Sequence, residues 1–295
     1  MTSRKLKFAI FGNTYQTCKS AAIHHVLACL RDGGAEVHID REYYDFLLAS
    51  GMIVPDEAEV FEGDDFDASF VISMGGDGTF LKAAGRVGDK EIPILGVNIG
   101  RLGFLAGVNP DEFAVCFRSL LSGDYDTECR EVIMVDTDGE PFPGCCRALN
   151  DVAILKRDNA SMISVRTMID GEYLTTFRAD GLIVSTPTGS TAYSLSNGGP
   201  IIVPGTHVFS LTAVAPHSLN IRPIVIPDTS TVTLTVESRS HNFLVAVDGR
   251  SEKCSDVTSL TIRKAPYMVR IVKRAGYRYF DTLREKMMWG MDKRA

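Results

Sequence analysis

The sequence holds no apolar run approaching the roughly 18 residues that a membrane-spanning helix needs. Basic residues are not in excess either: 31 Lys and Arg stand against 37 Asp and Glu, a formal net charge of −6. A basic footprint for nucleic acid, or for an anionic membrane surface, is therefore missing, and neither is expected as a partner. The seven cysteines (Cys18, Cys29, Cys116, Cys129, Cys145, Cys146 and Cys254) are odd in number and have no C-x-x-C spacing. They read as reduced, mostly buried thiols of a cytoplasmic protein rather than as a disulfide framework. Cys145 and Cys146 lie in a strand-like stretch without a nearby histidine, and the six histidines lack zinc spacing. His24 and His25 sit on an expected helix as surface or boundary residues. The opening MTSRKLKFAIFGN has only a short apolar patch, which reads as a first strand and not as a signal peptide. Internal repeats, low-complexity segments and long linkers are absent too.

What is present is ordinary globular composition: 295 residues, 45% hydrophobic and 23% charged, enough chain for two domains with cores of their own. The first third alternates. Leu6 to Phe11, Ala35 to Ile39 and Ile92 to Val97 read as strands, and Cys18 to Leu30 as a helix ended by Gly33-Gly34. Asn109-Pro110-Asp111-Glu112 is a helix start. Behind it, Phe113, Cys116, Phe117, Leu120 and Leu121 form one apolar face that Gly123 stops. Such alternation implies a parallel sheet with covering helices. From about Glu131 strands follow in series, with turn signals at Asp138-Gly139, Asp170-Gly171 and Asp248-Gly249 and clean alternation over Thr231 to Val236. The tail reverts to a helix over Phe280 to Trp289. The expected fold is an α/β N-terminal domain, residues 1–130, completed by 267–295. A β-rich C-terminal domain, 131–266, follows it, and the last helix returns to the first domain.

Three stretches carry chemistry. In VISMGGDGTFLKAAG, an apolar strand (Phe70 to Met74) runs into three glycines around Asp77, then into helical spacing at Phe80, Leu81 and Ala84, with Gly85 placed to break the helix. In a strand–loop–helix order, Gly75, Gly76 and Gly78 let the backbone bend and approach a ligand closely, and the amides of the helix start favour phosphate. A carboxylate among them suits a hydroxyl that attacks phosphate, or a metal ion beside it; a plain structural turn is the other reading. In DGLIVSTPTGSTAYSLSNGGPII, eight of the twelve residues from Ser185 to Ser196 carry a hydroxyl, set between the apolar runs Leu182 to Val184 and Ile201 to Val203. Hydroxyls suit ribose and phosphate oxygens, and Tyr193 adds a face for a flat ring; a polar linker is the alternative. Third, Asn150-Asp151 interrupts the apolar ALNDVAIL. If buried, the pair needs partners, from the backbone or from a sugar hydroxyl.

GGDGT (Gly75 to Thr79), Asn150-Asp151 and DGLIVSTPTGSTAYSLSNGGP (Asp180 to Pro200) occur in the order and spacing of the NAD kinase family. NIGRLGFLAG (Asn98 to Gly107), DGR (Asp248 to Arg250) and LREKMMWG (Leu283 to Gly290) resemble it as well. The resemblance covers Phe70 to the end. It implies phosphorylation of the adenosine-ribose 2′-hydroxyl of NAD to NADP, with ATP or polyphosphate as donor, a divalent metal ion (Mg2+ by expectation), and a homodimer or homotetramer. By position it implies Asp77 as general base with Gly78 beside it. Gly75, Gly76, Gly78 and Thr79 become the donor-phosphate loop. NAD contacts fall on Asp77, Gly78, Phe104, Asn150, Asp151, Arg178, Asp180, Thr191, Ala192, Tyr193, Ser194, Leu195, Ser196, Ala215 and Arg250. The family's usual pair is Asn-Glu, so Asp151 reaches one methylene less far. Lys82 is excluded from the set as an ordinary solvated lysine. Two other readings stay open: a membrane-acting GGDGT lipid kinase, which leaves the hydroxyl-rich block unexplained, and a non-catalytic nucleotide sensor.

Overall fold

The architecture is that of a computed structural model, which describes residues 5–15, 20–100, 103–139, 141–157, 161–273 and 276–290. The chain divides into two compact units, residues 1–129 with 269–295, and residues 130–268. Apolar runs closed off by glycine or a carboxylate give the first unit its elements. In chain order these are β1 (Lys7–Gly12), α1 (Ser20–Asp32), β2 (Glu36–Asp40), α2 (Arg41–Ala49), β3 (Glu59–Phe61), β4 (Phe70–Gly75), α3 (Asp77–Val87), β5 (Ile94–Asn98) and α4 (Phe113–Ser122). The order across the sheet is β5-β4-β1-β2-β3, and every pair is parallel. Strands β4 and β5 are buried throughout, as a parallel strand covered on both faces must be. Phe8, Ile10, Ile23, Val26, Leu30, Ile72, Leu95, Phe113 and Phe117 fill the core between sheet and helices.

Helix ends follow their local chemistry. Glu112 accepts the Asn109 N–H at 3.3 Å, closing the helix start that the Asn-Pro-Asp-Glu run foretells. Gly123 takes the left-handed conformation (φ 76°) and ends α4. Gly85 does not break α3. The helix runs through it and ends at Gly88, which has φ 55°; a glycine inside a helix costs only about 1 kcal/mol, and packing of Phe80, Ala83, Ala84 and Val87 outweighs that. The expected first helix begins at Ser20, and Cys18 lies outside the described residues.

The second unit is built from β6 (Thr127–Thr137), β7 (Arg147–Ala148), β8 (Asp151–Lys156), β9 (Ile163–Ile169), β10 (Glu172–Ala179), β11 (Gly181–Ser185) and the short helix α5 (Tyr193–Ser196). Then come β12 (Val208–Val214), β13 (Ile224–Pro227), β14 (Val232–Glu237), β15 (Asn242–Val247), β16 (Arg250–Ser255) and β17 (Ser259–Val272). Helix α6 (Tyr279–Met287) follows in the first unit, whose sheet also receives the end of β17 through the parallel pair Ile271–Ile94. In the second unit, β10-β9-β14-β17 form one antiparallel set and β13-β12-β11-β8-β15-β16 another. Val152, Ile154, Leu182 and Val184 face a core shared with Val165, Leu234 and Leu260. Ala153, Ile183 and Ala246 pack on the other side. Burial on both faces explains why the run through Leu182 to Val184 is wholly apolar.

The Asp-Gly signals at 170–171 and 248–249 are tight turns with both residues left-handed (φ 51° and 83°, 47° and 79°), joining β9 to β10 and β15 to β16. Ile201 to Val203 is not a strand. It has no regular secondary structure and is held by Ser190, whose Oγ accepts the Ile202 N–H at 3.0 Å. The six described cysteines are free thiols, but only Cys254 is buried; Cys129 is exposed and the others are half-buried. Among the described residues no helix is long and apolar enough to cross a membrane.

Candidate active site

In the first unit the site grows from the junction of β4 and α3. Gly75 closes β4, and a Cβ there would stand 2.2 Å from Thr79 Oγ1, so this glycine is required by close packing. Gly76 and Gly78 differ. Neither has a positive φ, and a Cβ on either would meet open space. The expected bend falls at Gly76, but no left-handed conformation requires glycine at either position, and both keep the loop bare. The amides of Thr79 and Phe80 turn inward onto the Gly76 carbonyl, both at 3.1 Å. Those of Asp77 and Gly78 start the helix and have no acceptor within it.

Asp77 is the first residue of α3, where the helix dipole favours negative charge. Its carboxylate is gripped by the loop ahead of α4. Phe104 N–H donates to Oδ2 at 2.7 Å, and Leu105 and Ala106 N–H donate to Oδ1 at 2.9 and 3.2 Å. Gly103 allows the grip, since a Cβ there would sit 1.9 Å from Oδ1. A carboxylate offers about four acceptor positions; three are taken, and the fourth is on Oδ2. The ring of Phe104 carries the Lys286 amine 4.3 Å above its centre. The neighbouring Arg101 and Leu102 lie outside the described residues. Lys82 is tied to Glu42 at 2.5 Å, consistent with its exclusion from the set.

In the second unit three separated stretches meet at one end of β11. Asp248 Oδ2 accepts the Leu149 N–H at 2.9 Å, and its Oδ1 accepts those of Asn150 and Asp151 at 2.8 and 3.3 Å. The Asn150 carbonyl takes the Thr186 N–H at 2.9 Å and the Thr186 hydroxyl at 3.2 Å. Gly189 packs so tightly that a Cβ would lie 2.1 Å from the same carbonyl. Asp151 itself is buried and pairs with Ser185 across the β8–β11 ladder. Burial, then the nearby Asp248 charge, pushes Asp151 up to about 7. Asp248 is also raised by burial, but its three amide bonds and the Arg250 guanidinium oppose the rise. Burial thus raises both carboxyls, and at Asp248 the amide bonds and Arg250 work against it.

Half of the hydroxyl-rich block serves the loop itself. Ser185, Thr186 and Ser190 are buried on backbone partners, and Ser194 Oγ is buried against Thr212 Oγ1 at 3.0 Å. Thr191, Ala192 and Leu195 are half-buried, while Tyr193 and Ser196 are exposed. Arg178, Asp180 and Ala215 gather at the opposite end of β11. There the Asp180 N–H donates to Val214 O, His217 N–H donates to Arg178 O, and Ala215 has a strained φ of 44°. Five strand residues, at about 3.3 Å each, separate this group from Asp151. Arg178 and Asp180 line a cavity of about 700 Å³, in which Lys156 pairs with Asp180 at 2.7 Å. Lys156 and the Leu105–Ala106 amides escape sequence reasoning, because a lone lysine carries no motif and an amide has no letter; Lys286 lies in the LREKMMWG stretch, which by itself assigns it no role.

Among the described residues, two groupings have spacing suited to a metal ion, Glu36-His38-Glu59 and Glu131-His207-Asp228. Neither contains Asp77 or any other candidate residue, so the donor set does not fit a cation held by protein side chains at the expected site.

Comparison with known proteins covers most of the chain. Residues 31–125 match the model of the ATP-NAD kinase N-terminal domain, and 149–274 that of the ATP-NAD kinase C-terminal domain. A protein of Bacteroides fragilis named NAD kinase is 55% identical over 289 residues, covering 98% of this chain and all of the relative. One of Porphyromonas gingivalis with the same name is 42% identical, over 96% and 98%. The fold is shared with yeast NADH kinase solved with NADH (TM-score 0.88, 21% identity, 99% of this chain and 89% of that one). It is also shared with an Archaeoglobus fulgidus NAD kinase solved with ATP (TM-score 0.73, 24% identity, 96% and 98%).

Proposed function

The chain belongs to the NAD kinase family, and on that premise we propose the following reaction. It transfers a phosphoryl group from ATP, or from another nucleoside triphosphate or polyphosphate, to the 2′-hydroxyl of the adenosine ribose of NAD, giving NADP. The observation that carries this reading is the Asp77 carboxylate, fixed by three amides at a helix start with one acceptor position left over. In that position it takes the hydrogen bond of the attacking hydroxyl and aims the oxygen lone pair at phosphorus. The first amides of α3 receive the donor phosphates. Because the transition state is loose, the proton moves late, and Asp77 acts as much by orientation as by basicity.

The residues of the second unit hold the dinucleotide. Asn150 and Asp151 grip ribose, the exposed Tyr193 offers its ring to a base, and Arg178, Asp180 and Ala215 hold a second part of the ligand. The separation of these groups along β11 supports a homodimer or homotetramer in which copies share sites. A divalent cation enters on the donor phosphates rather than in a side-chain cage, as Mg2+ commonly does. Free thiols and the lack of a membrane-crossing helix among the described residues support a cytoplasmic location. The test is a coupled assay of NADP formation by the purified chain with NAD and, in turn, ATP, other triphosphates and polyphosphate. NADP formation with at least one donor is expected, and none with any donor refutes the reading.

A further inference from the structure

Lysines at the end of a surface helix ordinarily extend into water or settle on a neighbouring carboxylate. Arg284 of α6 does the latter, on Asp281. Lys286, two residues on, does neither. Its amine is buried, and it makes no hydrogen bond. It stands instead over the ring of Phe104, the residue whose own N–H holds Asp77 Oδ2.

A cation–π contact is worth about 0.5–1 kcal/mol where exposed and about 2 where desolvated, which does not replace three hydrogen bonds from an ammonium. Burial accordingly presses the amine down to about 8, and the Asp77 charge pulls the other way. An amine in this position lacks an anion. Amides take three of the four acceptor positions of Asp77, and Lys286 makes no bond to the fourth, so the amine is free to meet an anion from outside the chain.

We propose that Lys286 Nζ forms an anion subsite for the terminal phosphate of the phosphoryl donor, beside Asp77. The inference rests on the kinase reading and deepens it. As the bond from the ribose 2′-oxygen to phosphorus forms, the bond from phosphorus to the bridging oxygen breaks. The electron pair leaves with the shortened donor (ADP when ATP is used), and the hydroxyl proton passes to Asp77. The ammonium gives up no proton; it offsets charge on the non-bridging oxygens. Neither the glycine loop nor α3 supplies such a cation, since Lys82 is tied to Glu42 and Arg86 is bound to Asp40.

The experiment has two arms, on wild type, Lys286→Met and Lys286→Arg, with melting curves to show that each is folded. Methionine keeps the stem over Phe104 and removes the charge. In the first arm, inorganic tripolyphosphate is titrated calorimetrically without NAD. Binding at least tenfold weaker in Lys286→Met, and largely restored in Lys286→Arg, supports the subsite even if no NADP is made. Equal affinity in all three, or no binding to wild type, overturns it. In the second arm, steady-state kinetics are expected to show kcat down by about 10²-fold in Lys286→Met, with the KM for NAD within twofold. A raised KM for NAD with unchanged kcat overturns the proposal in favour of a dinucleotide contact. An inactive wild type that binds tripolyphosphate through Lys286 defeats the kinase reading alone.

Discussion

Asp248 holds the backbone N–H of Asp151 at 3.3 Å, and with it the peptide groups of the two residues before. One carboxylate thus organises the strand start on which the other sits, and burial acts on both. Burial pushes Asp151 up to about 7, whereas amide bonds and Arg250 oppose the rise at Asp248. In an unfolded chain Asp titrates near 3.9. Between about pH 4 and 7 the unfolded state therefore releases a proton that the native state keeps, and stability is lost as pH rises through that window. Asp151→Asn mimics the protonated acid and escapes the loss. Urea unfolding at pH 5 and pH 8 should show the variant gaining on wild type by roughly 1–3 kcal/mol at the higher pH. A difference that does not move with pH would show that Asp151 is ionised throughout.

Asp77→Asn has a sharper expectation than loss of a base alone. Asparagine has one acceptor oxygen, so it can keep the Leu105 and Ala106 amides only by turning its NH2 toward the Phe104 N–H. Turnover should drop about 10²–10⁴-fold, with the KM for NAD little changed. A modest stability loss of about 1–2 kcal/mol should accompany it, from the unsatisfied Phe104 amide. Kinetics within tenfold of wild type would remove Asp77 from the chemistry.

Much of this architecture is legible in the residues. Buried parallel strands announce themselves as unbroken apolar runs, as in Phe70 to Met74. Asp170-Gly171 and Asp248-Gly249 name their own turns because few residue pairs tolerate two positive φ values. The failures share a cause: tertiary contacts overrule a local signal. Gly85 has the composition of a helix end, yet neighbouring side chains carry α3 past it. Ile201 to Val203 looks like a strand, but its hydrogen bonds go to Ser190. The Ser194 Oγ lies on Thr212, a pairing that its local sequence does not announce. The grip on Asp77 comes from amides 27 to 29 residues away, which no side-chain pattern encodes.

Tyr193 is the exposed aromatic of the hydroxyl-rich block, at the start of α5, with its backbone carbonyl holding the Asn197 side chain at 2.9 Å. That bond survives removal of the ring. Tyr193→Ala should therefore fold as wild type and bind NAD more weakly, by about 0.5–1.5 kcal/mol or up to roughly tenfold. An unchanged KM for NAD would dismiss the stacking role.

Two glycines separate packing from ligand approach. At Gly189 an added methyl collides with the Asn150 carbonyl, so Gly189→Ala should cost about 1–3 kcal/mol and weaken NAD binding by displacing Asn150. At Gly78 the same methyl meets nothing in the chain, the backbone is not left-handed, and the residue lies in the first turn of α3. Alanine there should be neutral, or stabilising by up to about 1 kcal/mol. If the bare turn exists so that a phosphate can rest on its amides, Gly78→Ala should nevertheless raise the KM for ATP at least tenfold. Thermal melts and ATP saturation curves on the one variant read both effects. A protein that is more stable and equally fast with ATP would place the donor phosphates elsewhere than on the start of α3.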